Sequence, residues 1–540
     1  MFQASYITQL YANAVRDCRS TERTMAQFNT TDNIRWKVEN GILSIEPGSD
    51  GEMIDYVKDN VCSSPWYSYR DSIVKAEIGK GITRIGAGAF YDCFKLAMVD
   101  IPDTVVSVGG QAFHNCGNLK KLVFPKALES IGDYAFTFCV SLNKIEFKSE
   151  KPPSVGKSLF TTVPGNTTMV TLTGSSIDSE VFAERTIGAN GLVTFEAEGK
   201  DDNIWWSLSN GTLNIMIAKN KTDEYKPYVK DNVCSSPWHK YRTGIHKVAF
   251  SDKFKQINDG MFFDCIYLDD VVMPQSVEVI GRQAFHNCRA IKTLTIPRKV
   301  VKICDFAFTF CVSLETVYML PENKVELGYH LFDTVPDAKM ITLKGSKWMD
   351  SSVINSNTIG NNAKVTYETF GNLENMEWRI KNGVLTISPI PGMSTVMEDL
   401  VSDNVCKAPW HDYVYGIYKI SVEGNIENIG AGAFYDCFNA TSIDMPSSIT
   451  SIGFQAFHNC RSLRHITIPS KVSSLGDYEF TFCTSLRTIF FMSENAPRFG
   501  IGMFDGCPDN VEIKVYTMGW KPRREDKPPY EMVKFFKLGE

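Results

Sequence analysis

Cysteine and histidine are the residues of this sequence whose spacing most invites a chemical interpretation. Fifteen cysteines occur in 540 residues, and twelve of them recur at equivalent positions, four in each third of the chain. In the first third, Cys93, Cys116 and Cys139 stand 23 residues apart. No C-x-x-C or similar spacing brings metal ligands together, so a zinc site is not expected. The even spacing instead predicts a ladder of buried thiols that behave as small apolar groups. Cys62, Cys234 and Cys406 lie outside this ladder, and their pairing stays open.

Each third of the chain also carries one histidine in the string F-H-N-C and one tryptophan at the end of a P-W string. These residues are our candidate contacts with a partner: His114, His286, His458, Trp66, Trp238 and Trp410. For the histidines, a polar turn residue that bonds the backbone of the next coil is favoured over a ligand or a pH sensor. For the tryptophans, packing over the first coil is favoured, because an indole is costly to expose. An exposed aromatic contact is the alternative.

The sequence lacks the usual signs of catalysis. No set of serine, histidine and aspartate recurs at a spacing typical of a nucleophilic site. The clearest break in the repeat symmetry is Cys304, which stands where the other copies have Gly132 and Gly476. A single cysteine without a partner does not make an active site. We therefore expect no enzymatic activity, no cofactor and no metal.

Internal repeats must position all of these residues. The string DNVCSSPW ends at Trp66 and at Trp238, and DNVCKAPW ends at Trp410, which is a constant step of 172 residues. Within each copy, a 23-residue unit contains A-F-x-x-C, then alternating apolar residues, a proline and V-x-x-I-G. The alternation predicts a strand with one face inward, which the proline ends. Stacked units then form a solenoid with strands about 4.8 Å apart.

Each copy, or module, is expected to contain four strands in this phase and a shortened last coil that caps one end. An Asn-Gly turn between alternating apolar runs predicts a hairpin cap at the other end. The hairpins are Arg35–Ile45, Trp205–Ile215 and Glu377–Ile387. The stretches Ser175–Asp202 and Ser346–Glu374 are expected to link the modules. Apolar residues within 2–18 recur at helical spacing and predict an amphipathic helix. The predicted domains are 1–28 (helical segment), 29–174 (first module), 175–346 and 347–517 (second and third modules with linkers) and 518–540 (tail).

The pattern from Gly88 to Gly109, GAFYDCFKLAMVDIPDTVVSVG, resembles the BspA-like leucine-rich repeats. So does the upstream arrangement of N-G-x-L-x-I followed by P-W-x-x-Y, and the resemblance covers most of residues 30–515. The resemblance implies a β-rich solenoid of leucine-rich-repeat coils in three tandem modules. It also implies adhesion and binding of other proteins, a cell-surface location, and no general active site.

Composition narrows the function without naming a partner. The net charge is −6 and no block of basic residues occurs, so nucleic acid is not an expected partner. No run of 18 apolar residues and no secretory signal are visible, so membrane insertion is not expected and an intracellular or particle-associated location stays open. We expect a protein-binding or adhesion protein with three similar surfaces. The alternative is a structural component of a large assembly, such as a virion or a cytoskeletal array, docked through its termini.

Overall fold

A computed structural model shows the chain as two compact units, Met1–Ala197 and Glu198–Glu540, and each unit is described by itself. The residues that the structure describes are 28–31, 33–162, 168–174, 181–182, 188, 191–201, 203–218, 226–251, 254–333, 340–345, 353–360, 363–515 and 536–537. The helix predicted within residues 1–28, and nearly all of the tail 518–540, lie outside these ranges. The first unit contains the predicted first module, and the second unit contains the predicted third module and most of the second.

Each module is a solenoid of leucine-rich-repeat coils, as the sequence predicted, and its backbone forms ladders on three sides. The side with the longest strands, called the sheet side here, shows the 23-residue phase directly: Lys121 pairs with Lys144, and Phe124 with Phe147, in parallel. In the first module its strands are Asn29–Thr31, Ile34–Glu39, Ile42–Pro47, Lys75–Ile78, Met98–Asp100, Lys121–Phe124, Lys144–Phe147, Thr168–Thr173 and Gly191–Phe195.

The other two modules repeat this arrangement. In the second, the sheet-side strands are Ala197–Asp201, Ile204–Ser209, Thr212–Ile217, Lys247–Phe250, Asp270–Val272, Thr293–Ile296, Thr316–Met319, Met340–Gly345 and Lys364–Tyr367. In the third, they are Thr369–Leu373, Met376–Lys381, Val384–Pro389, Lys419–Val422, Ser442–Asp444, His465–Ile468, Thr488–Phe491, Glu512–Val515 and Phe536–Lys537. Each module thus carries a five-stranded sheet followed by a four-stranded one.

Two further ladders complete each coil. The short-strand side consists of V-x-x-I-G segments: Arg84–Ile85, Ser107–Val108, Ser130–Ile131, Ser154–Val155, Gln256–Ile257, Val279–Ile280, Lys302–Ile303, Glu326–Leu327, Asn428–Ile429, Ser451–Ile452 and Ser474–Leu475. The third side, called the turn side here, carries the A-F-x-x-C segments. There, the N–H of Phe90 donates to the Ala112 carbonyl (2.7 Å), and that of Asp92 to the His114 carbonyl (2.9 Å). Because all three sides form such bonds, neighbouring coils must stay in register.

A small hairpin and a 3-10 turn precede the first full coil of each module. The hairpin strands are Val57–Lys58 with Val61–Cys62, Val229–Lys230 with Val233–Cys234, and Val401–Ser402 with Val405–Cys406. The 3-10 turns are Tyr67–Tyr69, His239–Gly244 and His411–Gly416. At the first hairpin, Asp59 and Asn60 adopt φ values of 51° and 62°, which two-residue turns require and Asp and Asn tolerate.

The core between the three ladders is built from the phenylalanine and the cysteine of each A-F-x-x-C segment. The rings of Phe90, Phe113, Phe136 and Phe160 stack with centroid distances of 5.1, 5.9 and 5.5 Å. The thiol of Cys116 donates to the Phe90 carbonyl oxygen, 3.1 Å away. Nine cysteines of the ladder are buried, and the fourteen cysteines among the described residues are free thiols. The predicted role of these thiols as small apolar groups in the core is confirmed.

The predicted Asn-Gly hairpin is present and larger than expected. Asn40 and Gly41 adopt positive φ at the turn between Ile34–Glu39 and Ile42–Pro47. A third strand pairs with the outer edge of the hairpin. On the other edge, Ile42–Pro47 pairs in parallel with Lys75–Ile78. The hairpin is therefore the first rung of the sheet side as well as its cap.

The predicted linkers Ser175–Asp202 and Ser346–Glu374 contain regular structure in their described parts, and their role in joining the modules stays a prediction. Both stretches contain strands that continue the sheet side, Gly191–Phe195 and Lys364–Tyr367. The second also contains a short helix, Ser356–Ile359. These strands were not expected because no A-F-x-x-C segment precedes them, so the 23-residue pattern does not mark them. The strands are grouped above by the sheets that they join, and the predicted module boundaries stay predictions.

Within the second unit, the strand Lys364–Tyr367 packs the second module against the third. The ring of Tyr367 is 2% exposed and lies on Gly416, where an added Cβ would stand 2.5 Å from the ring carbon Cδ2. The Oγ1 of Thr366 donates to the Gly416 carbonyl and accepts from the Gly383 N–H, both at 2.9 Å. The two modules therefore share a packed interface.

We expect Gly416→Ala to loosen this interface, because no side chain fits between residue 416 and the ring of Tyr367. The cost should be about 1–3 kcal/mol, as is typical of overpacking. Hydrogen exchange at Lys364–Tyr367 measures the loosening and should become faster. Gly117→Ala is the matched control, since its added Cβ would meet nothing closer than 3.9 Å. Unchanged exchange in Gly416→Ala would contradict this description of the interface.

Candidate binding surface

The predicted tryptophans lie inside the fold, at the start of each module. Trp66, Trp238 and Trp410 are all 0% exposed. Each indole N–H donates to a backbone carbonyl of the first A-F-x-x-C segment; for Trp66 this is Ala89 O, at 2.7 Å. The structure thus shows the packing over the first coil that the sequence favoured. A partner cannot touch these indoles without unfolding the start of the module.

The predicted histidines lie on the turn side, each between two aromatic rings. His114 stacks on Tyr91 with a centroid distance of 4.5 Å and meets Phe138 edge-on at 5.2 Å. The equivalent sets are Phe263, His286 and Phe310, and Tyr435, His458 and Phe482. In all three, Nδ1 is buried without a hydrogen-bond partner, so the predicted bond to the next coil is wrong for this nitrogen. The imidazole acts here as a stacked ring.

Burial decides the charge of these histidines. It lowers the pKa of His114, His286 and His458, and the aspartate that faces each ring raises that pKa by less. The neutral imidazole is therefore the form that the folded turn side favours. A buried neutral ring suits packing and does not suit a charged contact with a partner.

The residues next to the histidines adopt a left-handed backbone conformation, and they are of types that tolerate it. Asn115 donates to the carboxylate of Asp92 at 2.8 Å, and the same bond recurs in the other modules at 2.7 and 2.6 Å. Asp92 and Asn115 adopt φ values of 60° and 61°. Short polar side chains can bond locally in this conformation, which is why Asp and Asn visit it more readily than other residues.

The third coil of each module places aromatic residues at these left-handed positions. Tyr134 and Phe138 adopt φ values of 57° and 63°, where the coil before has Gln111 and Asn115. We call these two residues and their equivalents the aromatic pairs: Tyr134/Phe138, Phe306/Phe310 and Tyr478/Phe482. A left-handed φ costs a bulky residue about 1–2 kcal/mol. The fold thus holds six aromatic side chains in a conformation that opposes stability.

The aromatic pairs are accessible to solvent. The exposed fractions are 37% for Tyr134, 37% for Phe310, 38% for Tyr478 and 49% for Phe482, while Phe138 and Phe306 are half-buried. Exposed aromatic rings held in a strained backbone are a typical feature of binding sites. The turn side therefore offers one such pair in each module.

The surroundings of the pairs differ between modules. In the first module the Lys157 ammonium lies 5.9 Å from the ring of Tyr134, and in the second the Arg282 guanidinium lies 5.8 Å from Phe306. In the third module Phe454 meets Tyr478 edge-on at 6.1 Å instead. The first two pairs thus carry a neighbouring cation, which stabilises an exposed ring by about 0.5–1 kcal/mol.

The sheet side presents charges that are paired within the chain. Lys75 and Asp100 lie 2.8 Å apart, Lys419 and Asp444 form the equivalent pair, and Lys247 pairs instead with Asp270. Exposed pairs of this kind contribute about 0–1 kcal/mol and neutralise each other. Met98 is 57% exposed on this side, but its equivalent in the third module is Ser442. The turn side therefore carries the more consistent candidate surface.

The described residues also bear on a metal site, a membrane span and a reactive thiol. Among them, no group of three histidine, cysteine, aspartate or glutamate residues could hold a metal ion. In the same residues, no helix is long and apolar enough to cross a membrane. Burial raises the pKa of the half-buried Cys304 thiol, and the negative charge of Asp259 raises it further. A neutral thiol is a weak nucleophile, so this break in symmetry does not make a reactive centre.

The aromatic pairs are missing from the predicted site residues. Because each pair has aromatic residues in all three modules, a comparison of modules does not single it out. A comparison of coils within one module does, since Tyr134 aligns with Gln111, and Phe138 with Asn115. The left-handed backbone at these positions cannot be seen from the sequence alone.

Comparison with known sequences gives one match. A family model described as the BspA type leucine rich repeat region matches in six copies, over residues 63–187, 239–377 and 412–517. These ranges cover more than half of the chain. A search of curated proteins finds no match.

Several solved structures are similar to the chain. A leucine-rich repeat protein from Eubacterium ventriosum is 18% identical, with 83% of this chain and 92% of that chain covered and a TM-score of 0.26. One from Bacteroides ovatus is 18% identical, with 94% and 99% covered and a TM-score of 0.21. A leucine rich cell surface protein from Faecalibacterium prausnitzii is 17% identical, with 93% and 97% covered and a TM-score of 0.20.

Replacing all three stacked histidines by phenylalanine should reduce the acid sensitivity of the fold. Their folded-state pKa lies below the ordinary value of 6.5, so their contribution to stability is present above that pH and is lost as the pH falls. Phenylalanine keeps the stack and takes up no proton. We expect the thermal midpoint to fall less in His114→Phe/His286→Phe/His458→Phe than in the wild type between about pH 7.5 and about pH 5.5. Equal falls in both proteins would contradict this explanation.

Proposed function

The chain belongs to the BspA-type leucine-rich repeat family, and from this membership we propose that it is a non-enzymatic protein that binds other proteins through the turn side of its modules. Repeats of this family generally mediate protein interactions and are generally non-enzymatic. The observation that carries the proposal is the recurrence of an exposed, strained aromatic pair in all three modules. Adhesion to a partner that offers apolar groups is the corresponding role.

The strain of the aromatic pairs supports a role in binding over a role in stability. An asparagine at residue 138 would accept the left-handed backbone at lower cost, as Asn115 does one coil earlier. The exposed part of the Phe138 ring gains little from burial in return. A residue type that is unfavourable for the fold and favourable for contacts is expected at a binding site.

Aromatic rings also have the right properties for a protein contact. Aromatic residues bury a large area on binding at a low cost in side-chain entropy, and they are enriched in protein interfaces. In the first two modules, the cation beside the aromatic pair makes the edge of this surface polar, while the rings at its centre are apolar. This combination of an apolar centre and a polar rim is typical of interfaces that form and dissociate.

Three pairs on one chain favour multivalent binding. A weak contact at each pair becomes a strong attachment when one target carries several copies of the same epitope, because the second contact is intramolecular. Repetition of the pair at a step of 172 residues supplies the necessary copies.

The alternative function is a structural component docked through its termini. It depends on the segment 1–28 and on the tail 518–540, which lie outside the described residues except for Phe28 and Phe536–Lys537. The binding proposal rests on described side chains, namely the aromatic pairs.

We expect Phe138→Asn, Phe310→Asn and Phe482→Asn together to abolish binding and to change the stability of the fold little, because relief of the left-handed backbone offsets the lost edge contact with each stacked histidine. Asparagine removes the exposed ring and tolerates the left-handed backbone. Loss of one binding hot spot costs about 2 kcal/mol, which is roughly 30-fold in Kd. Peptides that the full-length wild type selects from a displayed random library serve as the probe. Thermal denaturation of the same variants measures the fold.

Variants with one, two and three substitutions separate the affinity of one pair from multivalent attachment. On a surface coated with the selected peptide, retention should drop more steeply with each lost pair than binding of the free peptide does. Phe370→Ser is the control, since Phe370 is 84% exposed and lies outside the turn side. Full binding by the triple variant, or its loss in Phe370→Ser, would contradict the proposed surface.

A further inference from the structure

One residue of the third module departs from the other two at a buried position of the turn side. Glu479 stands in the third coil where the first and second modules have Ala135 and Ala307. The backbone is the same in all three, since the N–H of Phe457 donates to the Glu479 carbonyl at 3.2 Å, as Phe113 does to Ala135 at 2.9 Å. The Glu479 side chain is 0% exposed. A carboxyl group has thus been placed in a core position built for a methyl group.

The carboxyl group of Glu479 has little compensation for its burial. Both of its oxygens are buried without a hydrogen-bond partner. The N–H of Ala456, which acts on this carboxyl group, is already donated to the Gly453 carbonyl at 3.3 Å. The ion pairs of the described residues do not include Glu479, and the titratable groups that face it are the thiols of Cys460 and Cys483.

We propose that Glu479 makes the third coil of the third module open with rising pH, while the equivalent coils of the other modules stay closed. The protonated carboxyl group is tolerated in the core, and the ionised one is not, because a buried charge without a partner is strongly unfavourable. Opening exposes the carboxylate to water. Glu479 lies between Tyr478 and Phe480, and Phe482 follows three residues later, so the aromatic pair of the third module is disordered with the coil.

The direction of the pH effect follows from the burial. Burial raises the pKa of Glu479 well above its ordinary value of 4.5, and Ala456 lowers it by less. A raised folded-state pKa means that the coil has its full stability below about pH 4.5 and loses it as the pH rises toward the folded-state pKa. Across that window the opening equilibrium grows about tenfold for each pH unit.

Hydrogen exchange of the full-length chain tests the proposal, with the first two modules as internal controls. The measured segments are 476–483 and its equivalents 132–139 and 304–311. After correction for intrinsic exchange, opening of 476–483 relative to the other two should increase up to about 100-fold between about pH 5 and about pH 7. The stacked histidines occur in all three modules and lose their contribution to stability as the pH falls, so they do not produce an opening with rising pH.

Substitutions decide whether Glu479 is the cause. Glu479→Gln keeps a buried polar side chain of the same shape but cannot ionise, and Glu479→Ala restores the residue of the other modules. Both should remove the pH dependence of the ratio, and Ala135→Glu should transfer it to 132–139. A Glu479→Gln variant with the wild-type pH dependence would overturn the proposal, as would a wild-type ratio that does not change with pH. If Ala135→Glu fails to fold, the other two variants still decide the question.

Discussion

The bonding of each coil to the next along three backbone ladders is the constraint on which the rest of the structure depends. The sheet side, the short-strand side and the turn side all repeat at 23 residues in the first coils of a module. A coil that gained or lost a residue would leave N–H and carbonyl groups unpaired on the sides that could not follow. The core obeys the same period, because one phenylalanine and one thiol enter it from each coil. Side chains can vary, therefore, only where they do not disturb the ladders.

The turn side shows how this freedom is used. Its ladder requires left-handed backbone twice in a coil, whatever residue stands there. The first two coils use glycine, glutamine, aspartate and asparagine at these positions, and the third coil uses tyrosine and phenylalanine. The rigid ladder holds these rings in place at a cost to stability, and their accessible faces are what a partner can use. The histidines beside them serve the stack as neutral rings, and the tryptophans anchor the first coil from within.

The features of the fold that the sequence could predict are those that repeat along the chain. The 172- and 23-residue steps predict the modules and the coils, and the Asn40-Gly41 turn predicts the hairpin. The buried thiols follow from one cysteine in each coil. The strand Lys364–Tyr367 could not be recognised from the sequence, because it has no pattern of its own. Its partner strand and its contact with Gly416 define it. The aromatic pairs and Glu479 required knowledge of backbone conformation and burial, which a sequence pattern does not contain.

Hydroxyl-radical footprinting of the full-length chain, with and without a peptide that it selects, tests the central claim most directly. Bound peptide should protect Phe138, Phe310 and Phe482 on the turn side, because accessible rings react readily and a contact would cover them. Met98 on the sheet side and Phe370 on the hairpin should react equally in both states. Protection of Met98 or Phe370 with unprotected turn-side rings would contradict the claim that the aromatic pairs form the binding surface.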